Sequence, residues 1–189
     1  MKKNEIILEI NIKYNNSRER IINSFENTKR EHQVLRSIEI GGEENENEKD
    51  IKDCEMYIND KKIDFTYYYS FKNKGKYKIK YKFKNLLNSA SFMFHNCTSL
   101  SSLDLSNFNT QNVTNMQSMF SFCISLSSLD LSNFNTQNVT NMESMFRYCT
   151  SLSSLDLSNF NTTNVINMES MFTHCNSLIY KIISSLNDS

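Results

Sequence analysis

A chain of 189 residues is long enough for one or two small domains. It holds 3 Gly and no Pro against 27 Asn, which excludes collagen-like, Gly/Ser-linker and Gly-rich phosphate-loop architectures. Its 21 basic and 21 acidic side chains cancel, so bulk charge selects no partner. The halves differ, however: residues 1–88 carry a balance of +4 and residues 89–189 one of −4, which puts a compositional boundary near residue 88.

The chain starts MKKNEIILEINIKYNNS, where Glu5, Glu9 and Asn11 interrupt any apolar run, so no secretory signal is expected. No stretch approaches the ~18–20 apolar residues of a membrane-spanning helix. Residues 5–13 have strand character, 17–33 suit either a helix or a strand and turn, and 41–50 (GGEENENEKD) form a charged loop. CEMYINDKKIDFTYYYSF is a hairpin turning at Asn59-Asp60-Lys61. Lysines then alternate from Lys72 to Lys84 with Gly75, Tyr77, Ile79, Tyr81 and Phe83, the period of two of a half-buried strand. Lys76, Lys78, Lys80, Lys82 and Lys84 line one face at ~6.6 Å intervals. Such a stripe suits an anionic partner, or serves only to deter edge-to-edge pairing. Acids elsewhere in 1–88 weigh against nucleic acid, and Tyr67, Tyr68 and Tyr69 are expected to pack on the strand rather than stack bases. Residues 1–92 form a small β-rich capping domain on this reading.

From residue 93 the text repeats. Met93-Phe94, Met119-Phe120, Met145-Phe146 and Met171-Phe172 lie 26 residues apart, with units at 93–118, 119–144 and 145–170, a partial unit at 171–183 and a cap or tail at 179–189. One such unit cannot bury its own apolar face, but stacked units cover one another. Leu103 and Leu105 have strand spacing, while Val113, Met116, Met119 and Phe120 have helical-turn spacing. The expected fold is therefore a β-rich leucine-rich-repeat solenoid over 93–178, with parallel strands and helical or 3₁₀ returns.

Cys97, Cys123, Cys149 and Cys175 then form one column. Side chains stacked in this way point alike, which suits buried thiols better than disulfides, and no C-x₂-C pair supports zinc. The recurring Asn107, Asn109, Asn112 and Asn115 are expected to satisfy turns and, with so little Gly, to take left-handed conformations. The N-x-[ST] triplets, several of them inside the repeats, are read as accidental. With Leu103 and Leu105 inward, Ser102, Asp104 and Ser106 face out, as do Ser128, Asp130, Ser132, Ser154, Asp156 and Ser158. Three carboxylates in register repel by about 0.8 kcal/mol per neighbouring pair in water. The face is either a recognition surface for a protein, glycan or cation, or a solvated face whose Asp residues cap turns.

The text MF..C.SL..LDLSNFNT.NVTNM resembles the BspA-like leucine-rich repeats, the bacterial surface protein 26-residue repeat also called the DUF285 type. That resemblance implies a surface or secreted protein that binds host proteins or other cells. The chain lacks that family's readable export signal, which leaves an intracellular scaffold as the alternative and the location open. The histidines His32, His95 and His174 join no catalytic pattern, and no G-x-S-x-G, P-loop, G-x-G-x-x-G or H-E-x-x-H occurs. The expected function is non-catalytic protein or glycan binding through the strand face, with no cofactor and no metal.

Overall fold

The computed structural model describes residues 4–34 and 47–178. Residues 41–46 of the expected loop and the expected cap at 179–189 lie outside them, so the partial unit is described only to Leu178.

The N-terminal part is built on an antiparallel sheet. Strands β1 (Glu5–Ile12), β3 (Glu55–Ile58), β4 (Lys61–Ile63), β6 (Gly75–Lys82) and β7 (Leu100–Asp104) are ordered β4-β3-β6-β1-β7. Strand β1 sends Ile6, Leu8, Ile10 and Ile12 inward, all at most 2% exposed. Asn59 and Asp60, with φ of 47° and 62°, turn β3 into β4, the two left-handed residues a tight hairpin requires. A second antiparallel pair joins β2 (Ser17–Arg20) to β5 (Tyr68–Phe71). Helix α1 (Phe25–Val34) starts behind Ser24, whose Oγ accepts from the Asn27 N–H at 3.0 Å.

Helix α2 (Glu48–Lys52) anchors the next segment through Glu48. This carboxylate accepts from Arg30 at 2.6 and 3.0 Å and from the Tyr67 hydroxyl at 2.8 Å, and pairs with Lys52 at 2.8 Å. The Arg30 bonds above all hold it down at about 2, against an ordinary 4.5. A lowered folded-state value gives stability that is present above the unfolded value and lost as pH falls through about 2. Glu48→Gln is therefore expected to lower the urea midpoint at pH 7, and the gap to wild type is expected to narrow steadily from pH 4.5 towards pH 2.

The expected parallel-strand solenoid does not hold. The main sheet is antiparallel, and β7, the first repeat's strand, is its edge, paired antiparallel with β1. Parallel pairing in the repeats is limited to the two-residue strands β8 (Ser128–Leu129) and β9 (Ser154–Leu155) and to single bridges linking Ser89, Asn115, Asn141 and Asn167. The ladder ends at Leu129 and Leu155, and beyond it Asp130 Oδ1 takes the Ser132 N–H and Asp156 Oδ1 the Ser158 N–H, both at 2.9 Å. Nor are the returns helical. Met119 N–H donates to Met116 O (3.2 Å), Ser121 to Ser118 (3.1 Å) and Cys123 to Phe120 (3.1 Å), a run of turns rather than a helix.

Four columns of single peptide hydrogen bonds join the units instead. Met116, Ser118, Phe120 and Phe122 donate to the carbonyls of Asn141, Glu143, Met145 and Arg147 at 2.8–2.9 Å. One unit on, Met142, Ser144, Phe146 and Tyr148 donate to Asn167, Glu169, Met171 and Thr173 at 2.8–3.0 Å. One unit earlier, Ala90, Phe92, Phe94 and Asn96 donate to Asn115, Gln117, Met119 and Ser121. In these four columns every N–H points towards the C-terminal unit, while a fifth column, from Thr114 to Asn88, Thr140 to Thr114 and Ile166 to Thr140 at 2.8–2.9 Å, points the other way. The alignment depends on left-handed residues four apart, at Phe92, Asn96, Ser118, Phe122, Ser144, Tyr148, Ser170 and His174. None of the expected asparagines supplies this conformation, and Asn96 is the one asparagine among these eight positions. Asn109, Asn115 and their equivalents act through their side chains, with Asn115 Oδ1 accepting from Gln117 N–H at 2.8 Å and Asn109 Oδ1 from Gln111 N–H at 3.0 Å.

Inside the stack the rings of Phe94, Phe120, Phe146 and Phe172 lie parallel at 5.9, 5.6 and 5.6 Å. Three of the four column thiols donate to the preceding unit: Cys123 to Phe94 O and Cys149 to Phe120 O at 3.1 Å, and Cys175 to Phe146 O at 3.0 Å. All five cysteines are free and buried, and burial pushes Cys54, Cys97 and Cys149 up to about 12. No thiolate is available at neutral pH. Iodoacetamide at pH 8 is expected to label none of the five in the native chain and all five in urea, as read by intact mass.

Candidate functional site

Strand β1 joins the two candidate surfaces. Its register places Glu5 opposite Lys82, Ile7 opposite Lys80, Glu9 opposite Lys78 and Asn11 opposite Lys76. On its other side Ile7 faces Asp104 and Glu9 faces Ser102. Paired residues share a face, so the lysine row of β6 and the hydroxyl and carboxylate row of β7 belong to one outward surface, with β1 between them. Ser102, Asp104 and Ser106, together with Ser128, Asp130, Ser132, Ser154, Asp156 and Ser158, are all exposed.

The basic side of this face is partly neutralised. Lys62 pairs with Glu55 at 2.5 Å, Lys80 with Asp60 at 3.2 Å and Lys84 with Asp53 at 2.6 Å. Lys82 sits over the Tyr57 ring at 4.9 Å. Lys76 and Lys78 make no ion pair among the described residues. The stripe is thus a row of lysines between acids. Of the three tyrosines expected to pack on the strand, Tyr68 and Tyr69 lie in β5, where Tyr68 carries Arg18 and Arg20 each at 4.7 Å from its ring and Tyr69 meets Phe71, which in turn meets Tyr77 of β6.

The acidic side keeps its charges. Asp104 Oδ1 accepts from Ser106 N–H at 2.9 Å, and Asp130 and Asp156 repeat the arrangement. Donation from Ser106, Ser132 and Ser158 holds each carboxyl below the usual range, so all three are ionised at neutral pH. The Asp residues therefore do cap turns. The hydroxyls of Ser102, Ser128 and Ser154 have no partner among the described residues. Between the second and third units lies a cleft of about 430 Å³, walled by Asp130, Ser132, Ser154, Asp156, Ser158 and Asn159 and floored by Leu129, Leu131 and Leu155. Among the described residues no three His, Cys, Asp or Glu side chains gather where they would hold a metal ion, and no helix is long and apolar enough to cross a membrane.

A second feature escapes a reading by repeat position alone. The three full units are identical at 20 of 26 positions, and three of the six that differ are 95, 96 and 98 with their equivalents. Two of these positions form a half-exposed ridge: His95 meets Phe122 edge-on at 5.7 Å, Phe122 stacks on Tyr148 at 4.5 Å, and Tyr148 on His174 at 4.2 Å. Arg147 lies 5.3 Å from the Tyr148 ring. The differences between units were the signal for it.

No curated protein and no solved structure matches the chain. Residues 68–187, more than half of it, match the protein family described as "Mycoplasma protein of unknown function, DUF285". The match takes in β5, β6 and every repeat, and on that ground the chain belongs to the DUF285 family.

Proposed function

We propose that the chain is a non-catalytic recognition module that takes a protein or glycan ligand on the outward face of β1, β7, β8 and β9. One observation carries this reading. Three ionised carboxylates and three uncommitted serine hydroxyls repeat along one exposed face, and two of those carboxylates, Asp130 and Asp156, with the Ser154 hydroxyl line a cleft with a leucine floor. Hydroxyls and carboxylates with free lone pairs suit the hydroxyl groups of a glycan or the amides and cations of a protein, and apolar floor beneath polar walls is the usual make-up of a recognition cleft. The similarity of the repeat text to BspA-like surface proteins supports a surface or adhesion role for the same face.

The test is a binding screen of the intact chain against an array of defined glycans and a set of purified extracellular-matrix proteins. Carbodiimide footprinting of the carboxylates follows in each complex found. Protection of Asp104, Asp130 and Asp156 is expected. Binding to no probe, or complexes in which Asp104, Asp130 and Asp156 all stay unprotected, contradicts the proposal.

A further inference from the structure

The peptide columns end differently at the two ends of the stack. At the leading end their carbonyls are met from the N-terminal part. Asn47 Nδ2 donates to Ser91 O and Asn23 N–H to Met93 O, both at 2.7 Å, and Asn23 Nδ2 lies 3.4 Å from His95 O. Both asparagines are fully buried. At the trailing end the N–H groups of Met168, Ser170, Phe172 and His174 occupy the places that donate to a following unit elsewhere, and they have no acceptor among the described residues.

The apolar section beside this donor row is also uncovered. Ile166 is 87% and Met168 49% exposed, whereas Met142, one unit earlier, is 0%. Leu157, Phe160, Val165 and Phe172 are half-buried where Leu131, Phe134, Val139 and Phe146 are buried. Twelve aligned peptide hydrogen bonds point their positive ends at this face. What fits it must offer a row of backbone carbonyls at alternate residues beside apolar side chains.

A second copy of this chain does not meet that need. Its carbonyl row is occupied by Asn23 and Asn47, and its own trailing end sets donors against donors. We infer that the trailing face, centred on Ile166, Met168 and Phe172, is an association surface for a 26-residue unit of the same kind carried by a different chain, docked through its free carbonyl row.

The probe is a synthetic peptide with the text of residues 119–144, acetylated and amidated, added to the isotope-labelled full chain. Amide exchange is then followed by NMR. The peptide is expected to slow exchange at Met168, Ser170, Phe172 and His174 by at least about tenfold. A peptide of reversed sequence is expected to do nothing, and I166E/M168E to abolish the effect while leaving exchange in β1 and β6 unchanged. Three results overturn the inference. Protection without peptide that vanishes when the chain is cut after Leu178 assigns the face to the chain's own tail. Protection that grows with protein concentration assigns it to a second copy. No protection at saturating peptide leaves the face without this partner.

Discussion

Phe120→Ala is expected to lower the free energy of unfolding by about 3–5 kcal/mol, enough to unfold much of a marginally stable chain at 37 °C. Phe120 is 0% exposed and stands between Phe94 and Phe146 at 5.9 and 5.6 Å. Removing the ring opens a cavity that both neighbours line, and the surrounding backbone cannot close it. Phe120 N–H is tied to Met145 O at 2.9 Å, and Phe120 O takes the Cys149 thiol at 3.1 Å. Phe172→Ala, at the half-buried end of the same column, should cost clearly less. Urea unfolding read by circular dichroism separates the two. Equal losses at both positions would mean that the rings do not share a packed column.

Leu8→Ala is expected to cost about 2–5 kcal/mol and to weaken both halves of the molecule in one transition. Leu8 is 1% exposed and lies opposite Ile79 in β6 and Leu103 in β7, so one side chain packs the N-terminal sheet and the first repeat together. Two probes report on the halves separately. Seven of the nine tyrosines lie in residues 1–92, and four of the five cysteines lie in the repeats. Tyrosine fluorescence and thiol labelling should therefore lose their native signals at the same urea concentration, in wild type and variant alike. A repeat block that keeps its thiols protected after the tyrosine signal has unfolded would contradict the joint at β1 and β7.

Much of this was legible in the residues. The 26-residue spacing placed Cys123, Cys149 and Cys175 in one column and the phenylalanines in another. Lysine alternation marked β6, and Asn59-Asp60 marked the hairpin. The outward direction of Ser102, Asp104 and their equivalents followed from the inward leucines. Other features were hidden for physical reasons. Val113, Met116 and Met119 have the spacing of a helix because successive turns closed by hydrogen bonds three residues back bring apolar side chains inward at nearly the same interval. The parallel ladder ends after two residues, and the aspartates that follow it close turns on Ser132 and Ser158. The left-handed positions fall on Phe92, Phe122 and Tyr148, where local preference disfavours them, and cross-unit peptide hydrogen bonds over-determine them. Pairing between β1 and β7 joins residues about 95 positions apart, and nothing in EIILEINI marks which strand it meets. Without that pairing the lysine stripe and the acidic face looked like separate sites.

The most direct test of the proposed face is the affinity of the chain carrying D104N, D130N and D156N for the tightest-binding glycan or matrix protein from the screen. Asparagine keeps the side-chain oxygen that accepts the N–H of Ser106, Ser132 and Ser158, so the turns persist while three charges are lost. With circular dichroism and thiol protection unchanged, affinity is predicted to fall by at least about tenfold, or ~1.4 kcal/mol. Undiminished affinity in a chain that folds as the wild type does would contradict recognition by the carboxylates of β7, β8 and β9.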